Sequence, residues 1–233
     1  MSWTAYVQGR HGDLSLLTKM FSDDELSFEA DEDGNYVMRS AKFDGMTEAT
    51  DVRAAAARLM DAVNGVAAVR NPGFQPVALT GQVRDGNDQH THVVDVDPVT
   101  VVSIASPVVV LTDGAKPPPP PSETDFAALA LRDPNVAEAL RYLRADADWY
   151  ALYKIYEVVR DDLGGQRALM ASGLAGPNAL DTFTESANRS EISGDAARHA
   201  RLGGQPSGRS TDLVSARHLI RALVEAWMVN KLT

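Results

Sequence analysis

The chain has 233 residues, of which 44% are hydrophobic and 23% are charged, and its formal net charge is −10. A chain of this length and composition can bury a globular core without covalent cross-links. The absence of cysteine excludes disulfides, thiolate metal sites and a thiol nucleophile. Residues 1–113 contain 8 basic and 17 acidic side chains, which argues against tight binding of nucleic acid or of an anionic membrane.

The amino-terminal residues carry no basic patch followed by an apolar run. In addition, no stretch of about 18 uncharged apolar residues occurs anywhere in the chain. We therefore expect neither a secretory signal nor a membrane-spanning segment, and we expect a cytoplasmic protein.

Alternating polar and apolar residues predict three strands in the first part of the chain. Residues 3–8 alternate with a period of two, which predicts a half-buried strand. Residues 26–28 and 36–38 predict two further strands joined by the acidic turn 31–35. Between the first two strands, Asp13 is a candidate cap for a short helix.

A long helix is predicted from about Glu48, because apolar residues recur there at spacings of three and four. Residues 77–85 and 90–97 then alternate around a four-residue turn, which is typical of a β-hairpin. Residues 99–105 and 108–111 add one or two strands. The first half is thus predicted to be α+β: a mostly antiparallel sheet with the long helix across one face.

Five consecutive prolines at residues 117–121 divide the chain. They lack backbone N–H groups and hold φ near −65°, so they form a stiff extended rod instead of a helix or a central strand. Strand patterns precede the prolines and helical patterns follow them. We therefore predict an α+β domain over 1–115, a Pro-rich linker over 116–122 and an all-α helical bundle over 123–233.

The second half contains helical patterns throughout. Asp133 before Pro134 predicts a capped helix start, and Gly164 predicts the end of a strongly amphipathic helix over 149–163. Shorter helices are predicted near 167–172 and 177–187, and a last helix from Thr211 or Asp212. In the last helix, an apolar stripe predicts that four polar residues lie on the solvent side: Arg217, His218, Arg221 and Glu225.

Three segments of the second half resemble the carboxyl-terminal part of a family of uncharacterised bacterial proteins. These segments are residues 152–162, Ala187-Asn188 and Ala197-Arg198-His199. That family also has a strand-rich first half and a Pro-rich joint. The resemblance implies the same two-part architecture and carries no activity, cofactor or ligand with it.

His90 and His92 are candidate metal ligands. Their spacing on a predicted strand places both imidazoles on one face, and we expect Asp85 to be the cross-strand neighbour of His90. The alternative is two polar side chains on the solvent face near a hairpin tip. Because a third ligand is not identifiable, we favour the second interpretation and expect no metal or other cofactor.

The polar segment 188–201 contains the other candidate site. Asp195 and His199 are four residues apart, so they are neighbours if this segment is helical, and a carboxylate beside an imidazole raises its basicity. Arg189, Arg198 and Arg201 add positive charge. One interpretation is an anion or phosphate site with His199 as a general base; the other, which we favour, is an Asp–His pair that fixes a loop.

These observations favour a non-enzymatic binding or adaptor protein, with a protein partner or a small anionic ligand. The alternative is a small hydrolase or transferase that uses the anion site around Asp195, Arg198 and His199. Common nucleotide-binding and hydrolase motifs are absent from the sequence, which supports the first interpretation.

The two interpretations of segment 188–201 predict different stabilities. If Asp195 and His199 fix a loop, His199→Ala should lower the free energy of unfolding by about 1–3 kcal/mol, the cost of an unsatisfied polar group. Asp195→Ala should cost a similar amount and the double variant little more, because the pair shares one interaction. Denaturation curves of the three variants test this. A His199→Ala curve that overlays the wild type would instead support a ligand site.

Overall fold

The computed structural model describes residues 3–86, 89–93, 120–189 and 209–233. Within these ranges the protein is α+β, with one antiparallel five-stranded sheet and eight α-helices, most of them in the second half. The predicted strands at 99–105 and 108–111 lie outside the described residues. In the described part of the chain, no helix combines the length and apolar character that crossing a membrane requires.

The sheet has the strand order β2-β3-β1-β4-β5, and all its neighbours pair antiparallel. Its strands are β1 Thr4–Gln8, β2 Leu26–Ala30, β3 Tyr36–Ser40, β4 Ala78–Arg84 and β5 His90–His92. The predicted antiparallel sheet is therefore confirmed for these strands. The β2–β3 turn is closed by Asp31, whose carboxylate accepts hydrogen bonds from the backbone N–H groups of Asp33 and Asn35.

Strand β1 is the central strand, and the prediction that it is half-buried is wrong. Its first four residues are all buried, including Thr4 and Tyr6, which the alternation assigned to solvent. A central strand is covered on both faces more often than an edge strand, and threonine and tyrosine tolerate burial when their polar groups are bonded. Just before β1, Trp3 Nε1 donates a hydrogen bond to the Met46 carbonyl oxygen at 2.8 Å.

The α-helices of the described residues are numbered in chain order. They are α1 His11–Met20, α2 Ala49–Arg70, α3 Glu123–Arg132, α4 Pro134–Tyr142, α5 Trp149–Asp162, α6 Gln166–Ser172, α7 Pro177–Asn188 and α8 Leu213–Leu232. A short 3-10 turn, Ala41–Phe43, follows β3. The predicted positions of all these α-helices except α3 are confirmed to within a few residues; α1 begins at His11, so Asp13 lies inside its first turn.

The capping residues explain where several helices begin and end. The carboxylate of Asp133 accepts hydrogen bonds from the backbone at the start of α4, as predicted, and Asp148 and Asp212 do the same for α5 and α8. Gly164 and Gly165 have φ values of +92° and +106°, which favour glycine and end α5. These local bonds satisfy backbone groups that a helix terminus leaves open.

Helix α3 was not predicted, although the sequence carries a signal for it. Ser122 and Asp125 form a reciprocal capping box: the Asp125 N–H donates to Ser122 Oγ at 3.1 Å, and the Ser122 N–H donates to the Asp125 carboxylate at 2.8 Å. Beyond the cap, α3 buries a mostly apolar face that includes Phe126 and Leu129. The proline run directly before it does not prevent a helix from starting at the next capping residue.

The described residues form two compact units. Unit 1 contains those within Met1–Asn64 and Gln75–Arg132, and unit 2 contains those within Gly65–Phe74 and Asp133–Thr233. Unit 1 thus holds the sheet, α1, α3 and most of α2, whereas unit 2 holds α4 to α8 and the last residues of α2. The division into domains 1–115 and 123–233, with 116–122 as a linker, stays a prediction.

In unit 1, the Asn64 side chain connects α2 to the segment before β4. Its carboxamide accepts a hydrogen bond from the Val77 N–H at 2.9 Å and donates one to the Val77 carbonyl at 2.8 Å. One amide side chain therefore replaces a pair of ladder hydrogen bonds and sets the position at which β4 begins.

In unit 2, α5 buries Trp149, Leu152, Tyr156 and Val159 of the predicted apolar stripe, whereas Leu163, the last residue of that stripe, is half-buried just beyond the helix. Phe183 of α7 lies among three aromatic rings of α5, with ring centroids 6.2 Å from Trp149, 6.3 Å from Tyr153 and 5.8 Å from Tyr156. Aromatic rings at such distances contribute packing energy beyond the area that they bury. This cluster fixes α7 on α5.

The close approach of α2 and α4 in unit 2 gives a stability prediction. A Cβ atom at Gly65 would lie 2.6 Å from Leu140 Cβ. We expect Gly65→Ala to lower the free energy of unfolding by about 1–3 kcal/mol through overpacking, although alanine is the better helix former by about 1 kcal/mol.

Gly12→Ala in α1 is the matched control, because nothing lies within 4 Å of the Cβ that it adds. This variant should be neutral or stabilised by up to about 1 kcal/mol. Urea denaturation followed by circular dichroism measures both. An equal gain for the two variants would contradict the close approach at Gly65.

Candidate functional site

Most of the predicted anion site lies outside the described residues: Asp195, Arg198, His199 and Arg201. Arg189 is described. It follows α7, and its Nη2 lies 2.9 Å from the carboxylate of Glu185, one turn earlier in the helix. The ion pair holds Arg189 against its own helix. The role of these residues in anion binding stays a prediction.

His90 and His92 lie on β5, and both side chains are exposed. The strand register pairs His90 with Arg84, so the prediction that Asp85 is its cross-strand neighbour is wrong. Asp85 belongs to the turn, where its carboxylate accepts a hydrogen bond from the Gln89 N–H at 2.9 Å. Among the described residues, no group of three histidine or acidic side chains could hold a metal ion.

A groove of about 540 Å³ opens in unit 1 beside β1 and β4, and His90 is part of its lining. The Gln82 carboxamide donates a hydrogen bond to His90 Nδ1, and the His90 ring lies 5.7 Å from the ring of Tyr6. Nearby, the Tyr36 hydroxyl lies 3.2 Å from His11 Nδ1. Both imidazoles thus form hydrogen bonds with neutral side chains.

A cluster of charged and polar side chains around Asp162 connects α4, α5 and α8 in unit 2. Lys231 Nζ lies 2.7 Å from the Asp133 carboxylate and 2.8 Å from that of Asp162. Trp227 Nε1 and Asn135 Nδ2 donate hydrogen bonds to Asp162 at 2.9 and 2.7 Å. The Lys231 ammonium also lies 5.0 Å from the centroid of the Trp227 ring. We call these five residues the Asp162 cluster.

The electrostatics of the Asp162 cluster are those of a structural contact. Burial alone would raise the pKa of Asp162, but the hydrogen bonds from Lys231, Asn135 and Trp227 lower it below its ordinary value. Burial likewise acts to lower the pKa of Lys231, and its bonds to Asp133 and Asp162 raise it overall. The single Lys231 ammonium is therefore shared by two carboxylates, and the neutral donors Asn135 and Trp227 also stabilise Asp162.

The position of Arg221 in the structure differs from the one predicted from the sequence. It was predicted on the solvent side of α8, but its side chain is only 6% exposed. Its Nε donates a hydrogen bond to the Ala68 carbonyl, 2.8 Å away, in the last turn of α2. Carbonyl groups at the end of a helix lack partners within the helix and carry partial negative charge, which explains why a cation is buried there.

Arg217 lies one helical turn before Arg221 on α8. Its Nε donates a hydrogen bond to the Ala147 carbonyl at 2.7 Å. At a spacing of four residues, the two Cβ atoms are about 5–6 Å apart. In the described residues, these Nε contacts are the hydrogen bonds that the two side chains make, and no carboxylate lies within ion-pair distance of either. We call them the Arg217–Arg221 pair.

No carboxylate in the described part of the chain forms an ion pair with either arginine of this pair. Burial, and after it the charge of Arg217, lowers the pKa of Arg221, although a guanidinium stays protonated at neutral pH. Glu225 follows one turn later on α8, but its carboxylate is ion-paired with Arg70. The pair therefore consists of two guanidinium groups fixed through Nε, an arrangement that suits an anion.

The sequence contains one local signal for this pair, the four-residue spacing of Arg217 and Arg221, which also fits an exposed helix face. Their partners, the Ala68 and Ala147 carbonyls, are backbone groups distant in the chain. No family model, no curated protein and no solved structure matches the chain.

The lowered pKa of Asp162 gives a pH-dependent stability prediction. A carboxyl group whose pKa is lower in the folded state stabilises the protein above its unfolded pKa of about 4, and this contribution is lost as pH falls through the folded pKa. Asp162→Asn should therefore lower the free energy of unfolding by about 1–3 kcal/mol at neutral pH. The difference from the wild type should shrink at pH values below about 4.

Asp161→Asn is the control, because the neighbouring Asp161 side chain is 65% exposed and pairs with Arg160 at the surface. Its effect should stay within about 0.5 kcal/mol. Chemical denaturation across the pH range measures both variants. An Asp162→Asn effect that persists unchanged in acid would show that its charge does not stabilise the fold.

Proposed function

We propose that the protein is a non-enzymatic binding protein, and that the Arg217–Arg221 pair of unit 2 binds an anionic group of its ligand or protein partner. The observation that carries this proposal is the burial of Arg221 without an acidic partner in the described part of the chain. A buried charge without a counter-charge is unfavourable by several kcal/mol unless something offsets it. The end of α2 offers about half a negative charge, and a bound anion offers the remainder.

The way in which the two guanidinium groups are held supports binding. Each uses Nε to bond a backbone carbonyl, so its orientation is fixed before a ligand arrives. The terminal nitrogens of Arg221 make no hydrogen bond, and they are not among the fully buried unbonded atoms of the described residues, so solvent reaches them. Planar donors fixed in this way match carboxylate and phosphate oxygens with little loss of conformational entropy.

The neighbouring side chains favour binding over catalysis. General acid–base or nucleophilic chemistry requires a base or a nucleophile within hydrogen-bond reach of the reacting atom. Glu225, one helical turn after Arg221 on α8, is ion-paired with Arg70. The contacts given for the pair therefore offer charge and orientation, and they include no nucleophile.

Calorimetric titration of the whole protein with acetate and with glycerol phosphate, at low ionic strength, tests the proposal. Arg221→Met should weaken binding of whichever anion binds by about 10–100-fold, because a hydrogen bond to a charged group contributes about 1.5–3 kcal/mol. Arg217→Met should weaken it similarly while leaving the bond to Ala68 in place, which separates loss of binding from loss of fold.

Arg167→Met is the matched control. It removes the same charge from an exposed position on α6 of unit 2, and the affinity should not change. The proposal is wrong if neither anion binds the wild type, or if Arg217→Met and Arg221→Met bind as tightly as Arg167→Met.

A further inference from the structure

We infer that the groove of unit 1 beside β1 and β4 binds a neutral sugar. Its volume of about 540 Å³ lies within the range of about 300–1,000 Å³ that is usual for small-molecule sites. The inference does not depend on the Arg217–Arg221 pair, which belongs to unit 2. It follows from three properties of the lining: unbonded donors and acceptors, aromatic rings held in place, and a single formal charge among the described lining residues.

The groove presents hydrogen-bond donors and acceptors that the fold does not use. In the described part of the chain, the Gln8 carboxamide and the Asp33 carboxylate, both in the lining, make no hydrogen bond. The Gln82 carboxamide donates to His90 Nδ1, so its carbonyl oxygen stays available as an acceptor. The same bond places the proton of a neutral His90 on Nε2, where it is a donor. Sugar hydroxyl groups both donate and accept, so they match a lining that offers both.

Two aromatic rings of the lining are held by hydrogen bonds and reach solvent. Tyr36 is half-buried, and its hydroxyl lies 3.2 Å from His11 Nδ1. His90 is exposed, and its ring, bonded to Gln82, lies 5.7 Å from the ring of Tyr6. The C–H face of a sugar ring is apolar and packs on such aromatic rings. Side chains that are fixed before binding lose little conformational entropy when the ligand arrives.

The charges around the groove favour a neutral ligand over either sign of charge. Asp33 is the one residue of the described lining with a formal charge, and it repels an anion. Because Asp33 is exposed, its attraction for a cation is weak. The same turn holds Glu32, outside the lining, and Asp31, whose carboxylate bonds backbone N–H groups of the turn. Arg84, which lies over the Tyr6 ring at 5.8 Å from its centroid, partly offsets these acids.

Amide correlation spectra of the whole protein, recorded by NMR at about pH 8, test the inference, with glucose, galactose and mannose as probes. The three sugars differ in the directions of their hydroxyl groups. We expect at least one of them to bind with a Kd in the millimolar range and to shift the amide signals of Gln8, Gln82 and His90. The amino sugar and the uronic acid derived from that sugar should bind no more tightly than the neutral parent, because the groove offers neither charge a partner.

Two variants locate the binding in the groove. His90→Phe keeps an aromatic ring and removes both nitrogens, whereas Gln8→Met removes a carboxamide that makes no hydrogen bond in the described part of the chain. Each should weaken sugar binding by about three- to tenfold, the effect of losing a neutral hydrogen bond.

His92→Phe is the matched control, because it makes the same substitution on the same strand at an exposed residue outside the lining. Its affinity for the sugar should equal that of the wild type. Arg221→Met should also bind the sugar as the wild type does, which separates this site from the one in unit 2. The dispersion of the amide signals shows, in the same spectra, that each variant is folded.

Three results would overturn the inference, and none of them bears on the proposed function. If none of the three sugars shifts the spectrum, the groove is not a sugar site. If the amino sugar or the uronic acid binds more tightly than its neutral parent, the groove recognises a charge. If a sugar binds but His90→Phe and Gln8→Met retain the affinity of His92→Phe, the sugar binds at another place on the protein.

Discussion

The carboxyl-terminal part of α2 is the constraint on which unit 2 depends. Three contacts lie within six residues of α2. Gly65 allows α4 to approach closely, and the Ala68 carbonyl accepts a hydrogen bond from Arg221. Arg70 forms an ion pair with Glu225 of α8. A helix is stiff over this distance, so the three contacts set the positions of α4 and α8 together. Arg221 owes its burial to this arrangement, because its guanidinium lies against the end of α2, where its Nε bonds the Ala68 carbonyl.

Sequence periodicity predicted the elements that depend on local pattern. The stripes of α5 and α8 and the β2–β3 hairpin were found because side-chain spacing alone identifies them. Helix α3 was missed even though its capping box is local, because the proline run before it was interpreted as part of a linker. In β1, the alternation shows which side chains are polar, but it does not show whether other parts of the protein cover both faces of the strand. As the central strand of the sheet, β1 buries Thr4 and Tyr6 as well as its apolar residues.

The candidate site could not be predicted because its partners are distant backbone atoms. Ala68 and Ala147 are two of many alanines in the chain. No sequence pattern indicates that their backbone carbonyl groups accept hydrogen bonds from α8. A helical wheel places Arg221 opposite the apolar stripe, which predicts exposure only if no other helix ends there. The error at His90 has a related cause: a shift of one residue in register exchanges Arg84 for Asp85, and turn geometry, not composition, sets that register.

The placement of the tryptophans has a consequence for spectroscopy. The sequence contains three, and all of them are buried: Trp3 lies in unit 1, where it bonds Met46, whereas Trp149 and Trp227 lie in unit 2. Fluorescence from a buried indole changes when water reaches it, so each unit carries its own emitting group. Replacing the two unit 2 indoles by phenylalanine leaves an optical signal from unit 1 alone, and replacing Trp3 isolates the signal of unit 2. The protein thus contains, without added labels, a separate readout for the opening of each half.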